Sequence, residues 1–190
     1  VATLAAAGAL AGFALVFAYE GTLPRIEANK AAALEAAVRE VLKSPAGYET
    51  LYLREGRLTK EPDKSAERVF RGYDGSGRTV GFAIAAAEPG FQDTIHLIFG
   101  YDPATKRLLG MRVLGSKETP GLGDKIEKDE AFVGQFDGAL APLEGVRAGS
   151  RKADDEVDTI TGATISSRAV IRIINRALER WAPLLPEAGP

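Results

Sequence analysis

The run Asp158-Thr159-Ile160-Thr161-Gly162-Ala163-Thr164-Ile165-Ser166-Ser167 concentrates hydroxyls and two minimal side chains where a long helical pattern begins. The first turn of a helix carries unpaired N–H groups and the positive end of the macrodipole, so a phosphate placed there is stabilised without any lysine. Thr161, Thr164 and Ser166 offer hydroxyls to phosphate oxygens, while Gly162 and Ala163 leave the approach open. A threonine hydroxyl can also be esterified. The same residues suit a plainer role, with Thr161 or Thr164 as the N-cap of the helix. Residue types alone leave both readings open.

About forty residues upstream stands a second candidate, Glu118-Thr119-Pro120-Gly121-Leu122-Gly123. Pro120 and the glycines make a strand-ending turn with exposed backbone amides, suited to close contact with a flat polar ring, and equally to an ordinary Pro-Gly turn.

Taken together the two segments resemble one family. Asp158-x-x-Thr161-Gly162-Ala163-Thr164 is similar to the flavinylation motif Asp-x-x-Ser/Thr-Gly-Ala-Thr of the FMN-binding domain family, found in the G subunit of Rnf electron-transport complexes and the C subunit of Na⁺-translocating NADH:quinone reductases. The Glu118 to Gly123 loop is similar to the loop that packs near the flavin in the same family, and the two segments stand in family order. The resemblance implies FMN joined to Thr164 by a phosphothreonine ester. It implies a helix-start phosphate site from Thr161, Gly162, Ala163 and Ser166, and ring contacts from Glu118, Thr119, Gly121 and Leu122. Asp158 becomes the element recognised by a flavin transferase, with capping or solvating the helix start as its alternative. One departure stands out: Ser116 occupies the place where the family usually has His.

The chain has no cysteine and a single His96, which excludes disulfides, iron–sulfur ligation and c-type haem attachment within it. No metal site and no nucleophile–base pair for hydrolysis emerge, so no catalytic residue is assigned and independent substrate turnover is not expected. A net charge of −2 offers no nucleic-acid footprint. By resemblance, the partners are other membrane and iron–sulfur or flavin subunits of an Rnf-type complex, plus the flavin transferase. Three alternatives stand beside the Rnf G subunit: the C subunit of the quinone reductase, a membrane-anchored regulatory FMN domain, and a non-redox periplasmic interaction module.

These groups need elements to position them. At 190 residues with 45% hydrophobic content, the chain is sized for one ordinary domain with a small appendage. Val1 to Tyr19 carries no charge, and at ~1.5 Å per residue its helix matches roughly the hydrocarbon thickness of a bilayer. A single transmembrane helix is expected; a cleaved signal peptide and a buried alanine-rich helix are the alternatives. Gly21-Thr22-Leu23-Pro24 reads as a joint, followed by an amphipathic helix over Arg25 to Lys43. This divides the chain into an anchor (1–23), a linker helix (24–45) and an FMN-binding domain (46–186). Resemblance places the domain on the periplasmic side of a bacterial inner membrane.

Four apolar or alternating runs, Val69 to Tyr73, Val80 to Ala86, Thr94 to Tyr101 and Leu108 to Leu114, are separated by short turns and predict an antiparallel ladder. His96 falls on its wetter face. Lys125 to Phe136 predicts a short helix, and the run from Ile165 to Trp181 a long one. Its apolar face is built from Ile165, Ala169, Ile173 and Ala177 beside Val170, Ile174, Leu178 and Trp181. Arg168, Arg172, Arg176 and Arg180 form another stripe, solvated or facing a partner. Asp154, Asp155 and Glu156 read as a solvated acidic loop, with docking as the alternative. The resulting fold class is α+β: one N-terminal transmembrane helix, then an antiparallel sheet with packed helices.

Overall fold

The computed structural model describes residues 2–63 and 65–186; Val1, the first residue of the expected anchor, lies outside them. The chain divides into two units, residues 1–36 and residues 37–190.

The first unit is the greater part of helix α1 (Ala2–Val41). This helix contains a window with a mean hydropathy of 1.8 that is long and apolar enough to cross a membrane, and none of that window is buried. It runs without a break through Gly21 to Pro24, where the sequence predicted a joint. A proline removes one backbone donor, and close by, the Thr22 hydroxyl donates to the carbonyls of Ala18 and Tyr19 at 2.9 and 3.1 Å. An exposed helix of good formers accommodates one such defect.

The second unit is built on a six-stranded antiparallel sheet: β1 (Gly47–Arg54), β2 (Arg57–Thr59), β3 (Arg68–Tyr73), β4 (Thr79–Pro89), β5 (Thr94–Asp102) and β6 (Arg107–Gly115), in the order β2-β1-β3-β4-β5-β6. The four predicted runs are β3 to β6. The remaining two strands, β1 and β2, mix charged residues with apolar ones and escaped periodicity. The pattern of burial along β5 shows how the sheet is covered: Ile95 and Leu97 are buried around exposed His96, whereas Leu97 to Tyr101 is buried continuously. Strict alternation marks a strand covered on one face, and a continuous run marks one covered on both. The second cover is the end of α1, whose Ala37, Val38 and Val41 are buried along with Leu42.

The other face carries the main core. Helix α4 (Thr164–Trp181) lays Ala169, Val170, Ile173, Ile174, Leu178 and Trp181 against Val69, Phe82, Ile84, Leu97 and Phe99. The predicted helix over 125–136 is two pieces, α2 (Lys125–Lys128) and α3 (Glu130–Gly134). Asp129 divides them because its carboxylate accepts from the amides of Ala131 and Phe132, which starts a new helix there. A parallel two-stranded ribbon, β7 (Glu144–Val146) with β8 (Glu156–Asp158), leads into the loop before α4. Asn175 on α4 fixes this ribbon's approach, exchanging two 2.8 Å hydrogen bonds with the backbone of Leu143.

Three of the four arginines in the α4 stripe are paired within the domain. Arg172 and Arg176 both lie 3.2 Å from Glu88 on β4, and Arg180 pairs with Glu67. These links tie the outer face of α4 to the sheet, each worth about 0–1 kcal/mol at such exposure. In the acidic loop, Asp154 pairs with Arg107 at 2.8 Å, and the Glu156 carboxylate accepts from the amides of Lys152 and Ala153.

Candidate functional site

Leu122, Phe91 and Ile165 are the large hydrophobic side chains that stay exposed outside α1 among the described residues, at 47%, 62% and 57%. All three line one cavity of about 310 Å³, together with Thr119, Gly123, Gly162, Ala163, Thr164 and Ser166. Exposed apolar groups are unremarkable when scattered. Converging on a hollow at a helix start, they form a place for a partly apolar ligand.

Three segments meet here because the sheet brings them together. Phe91 sits in the β4–β5 turn, Thr119 to Gly123 follow β6, and Gly162 to Ser166 form the turn into α4. Gly162 has φ +84°, in the left-handed region that glycine adopts without strain, so the chain turns sharply just before the helix. No side chain caps the first turn of α4, which removes the reading of Thr161 or Thr164 as an N-cap. The amides at that end carry no side-chain cap, and the exposed Thr164 beside them lines the cavity.

Glu118 is the hub that holds these segments. It is 4% exposed. Its Oε1 accepts from the amides of Phe91, Gln92 and Asp93 at 3.0, 3.0 and 3.3 Å, and its Oε2 accepts from the Ser166 hydroxyl at 2.5 Å. Burial pushes this carboxyl upward. The hydroxyl and the three amides outweigh that effect and hold it below the ordinary glutamate value. Thr119 adds a hydrogen bond to Gln92 at 3.0 Å, and Ser116 accepts from the Glu118 amide at 3.1 Å. Ser116 thus braces the turn that presents Glu118.

The structure redistributes the residues predicted from sequence. Thr164, Gly162, Ala163, Thr119 and Leu122 come together on the cavity. Ser166 also lines it, but its hydroxyl proton is committed to Glu118, which corrects its expected role as a donor to phosphate. Glu118, expected against a ring, is buried behind the cavity wall with both oxygens engaged, so it acts by positioning. Gly121 is exposed at φ +78° and does not line the cavity. Thr161 and Asp158 line a different hollow, with Gln135 and Arg151. The Asp158 carboxylate accepts from the amides of Ser150 and Arg151 at 2.9 and 3.0 Å, which corrects its alternative reading as a cap of α4.

Sequence reasoning missed Phe91, whose only signal was an aromatic placed just after a Pro-Gly turn. It assigned Ile165 to the core stripe, although this second residue of α4 stays exposed and lines the cavity. It also passed over Ser167, fully buried, whose hydroxyl donates to the Ala163 carbonyl at 2.9 Å and accepts from the Ile160 amide at 3.1 Å. Gly123 has a steric role: an added Cβ would lie 2.8 Å from Glu118 Cβ and 3.0 Å from Ser166 Oγ. Gly123→Ala is expected to destabilise the domain by about 1–3 kcal/mol, read as a lower denaturation midpoint.

The chain is similar to several known proteins. Residues 90–179 match the FMN-binding domain family. The chain is 29% identical over 179 residues to the G subunit of the ion-translocating oxidoreductase complex of Methanosarcina acetivorans, covering 94% of this chain and 91% of that protein. It is 41% identical over 96 residues to the protein of the same name from Pseudomonas aeruginosa, covering 50% of this chain and 44% of that one. In fold it is similar to the crystal structure of NqrC from Shewanella oneidensis, with a TM-score of 0.70 at 18% identity over 82% of this chain and 97% of that one. The C subunit of a Na⁺-translocating NADH-quinone reductase from Parabacteroides distasonis gives a TM-score of 0.60 at 23% identity, over 72% of this chain and 76% of that one.

Proposed function

We propose, from the premise that residues 90–179 belong to the FMN-binding domain family, that this chain is a membrane-anchored flavoprotein electron carrier with FMN joined to Thr164 by a phosphothreonine ester. The observation that carries this reading is the single cavity where an uncapped helix start, bearing the exposed Thr164, meets three exposed hydrophobic side chains.

The residues fit the group. FMN carries a flat ring system with an apolar dimethylbenzene edge and a polar pyrimidine edge, and an anionic phosphate at the end of a flexible chain. Phe91, Leu122 and Ile165 provide apolar surface for the ring, and the amides at the start of α4 face the phosphate end. Bound there, the flavin supplies one- and two-electron chemistry that no side chain of this cysteine-free chain offers. The protein's part is placement: Glu118 fixes the Phe91 turn and the first turn of α4 to one point, while the hydrophobic rim keeps water from one side of the hollow. During attachment Thr164 loses its hydroxyl proton as its oxygen bonds to phosphorus. With FAD as donor and a flavin transferase as catalyst, the pyrophosphate link breaks and AMP leaves.

The M. acetivorans relative supports a place as the G subunit of an Rnf-type ion-translocating oxidoreductase complex, since that similarity covers both the helix and the domain. In this reading α1 anchors the chain in a bacterial inner membrane with the FMN domain on the periplasmic side. The partners are membrane, iron–sulfur and flavin subunits that pass electrons to and from the site. The likeness to NqrC favours the C subunit of a Na⁺-translocating NADH:quinone reductase as the second reading. Expression with a flavin transferase should yield a chain heavier than the bare polypeptide by one FMN less water, measured by intact mass. A wild-type mass equal to the bare polypeptide overturns the attachment. Affinity capture of the loaded chain, with mass identification of what comes with it, separates the two complexes.

A further inference from the structure

We infer that Arg168 is the cationic partner of the phosphate carried by Thr164. This rests on the reading of Thr164 as the flavin anchor and adds to it a residue that neither motif contains.

The argument begins with the stripe of four arginines on α4. Arg172 is held by Glu88 and by the Pro89 carbonyl at 2.6 Å, Arg176 by Glu88, and Arg180 by Glu67. Arg168, exposed and first in the stripe, has no such partner among the described residues. A guanidinium is charged at every physiological pH and presents a planar fork of donors that matches phosphate oxygens.

Position supplies the rest. Residues four apart on a helix lie on the same face, roughly 5–6 Å apart at Cβ, and Cα–Cβ bonds lean toward the helix N-terminus. The patch covered by Arg168 is therefore the turn that contains Thr164, one turn along the same helix. Its stem runs beside β7, with Cγ 3.6 Å from where a Cβ on Gly145 would sit, and reaching the ester requires the head group to turn toward the helix start. An ester on Thr164 retains one negative phosphoryl charge. The uncapped amides of the first turn approach it from the helix end, and Arg168 approaches from the helix side.

An exposed pair of this kind is worth about 0.2–1 kcal/mol, so its signature is a modest, phosphate-specific preference of about two- to fivefold. The test uses the full chain expressed without a flavin transferase and titrated by fluorescence with FMN and, separately, with riboflavin, which has the ring but no phosphate. Wild type should bind FMN the more tightly. Arg168→Gln should weaken FMN by about two- to fivefold and leave riboflavin unchanged, Arg168→Lys should restore part of the difference, and Arg57→Gln, an exposed arginine on β2, should move neither. Equal weakening of both flavins by Arg168→Gln, or unchanged FMN binding, overturns the inference while leaving the cavity intact as the flavin site. Binding of neither flavin by wild type overturns the phosphate contact assigned to Arg168, while the attachment itself stands or falls on the intact mass after expression with a flavin transferase.

Discussion

Thr164→Ala is expected to abolish covalent flavin completely, with no fluorescent band surviving a denaturing gel and an intact mass equal to the bare polypeptide after expression with a flavin transferase. The effect is all or none because an alanine methyl cannot form a phosphoester, and no neighbouring hydroxyl can take over from the same place. Ser166 is buried and donates to Glu118, Ser167 is buried and bonds the backbone of Ala163 and Ile160, and Thr161 lies on a separate hollow. Stability should barely move. Thr164 is exposed at the first helical position and makes no side-chain cap, so the change should stay within about 0.5 kcal/mol. Loss of flavin with an unchanged thermal midpoint therefore separates chemistry from folding, whereas a flavin mass retained by Thr164→Ala would assign the ester to another residue.

The largest effect on stability is expected at Glu118. Glu118→Ala removes the acceptor for three backbone amides and for the buried Ser166 hydroxyl, and it leaves space behind the cavity wall. The amides of the 91–93 turn are near solvent and recover part of their hydrogen bonding, whereas Ser166 does not. We expect a cost of about 2–4 kcal/mol, which for a domain of this size lowers the thermal midpoint by roughly 5–15 °C. Glu118→Gln keeps the shape and one carbonyl acceptor, so it should cost less, about 1–2 kcal/mol. Acid titration distinguishes the two contributions. The folded carboxyl is held below its ordinary value, while an unfolded glutamate titrates near about 4.3. As pH falls past that point the unfolded chain takes up the proton first. The stability Glu118 contributes is therefore complete above this range and drains away as pH drops through the folded value. Glu118→Gln should show a flatter acid limb; an identical limb in wild type and variant would remove Glu118 from the hub.

The two effects belong to different levels of the fold. Thr164 acts through the chemistry of its own oxygen. Glu118 acts through three segments distant in sequence, and its role as a ring contact, expected from sequence, gave way to a positioning role once its burial and bonds were visible. Ile165 shows the same division. Its spacing fits the apolar stripe of α4, yet it stays 57% exposed while its neighbours Ser166 and Ser167 are buried. The surplus hydrophobe became part of the cavity.

What the sequence determined by itself is whatever depends on near neighbours along the chain. Period-two runs specified β3 to β6, period-3.6 spacing specified α4, and the hydroxyl-rich turn with the Glu118 loop singled out Thr164. The joint at Gly21 to Pro24 and a single helix over 125–136 failed for local reasons too, one because good helix formers carry the helix past Pro24, the other because Asp129 caps a new start. Only the tertiary structure decided which distant groups meet: Phe91 with Leu122 and Ile165, Glu118 with Ser166, and three of four equivalent arginines with Glu88 and Glu67. The physical reason is that such pairings are set by strand order and register, which bring together residues tens of positions apart, and no pattern within either segment encodes its partner.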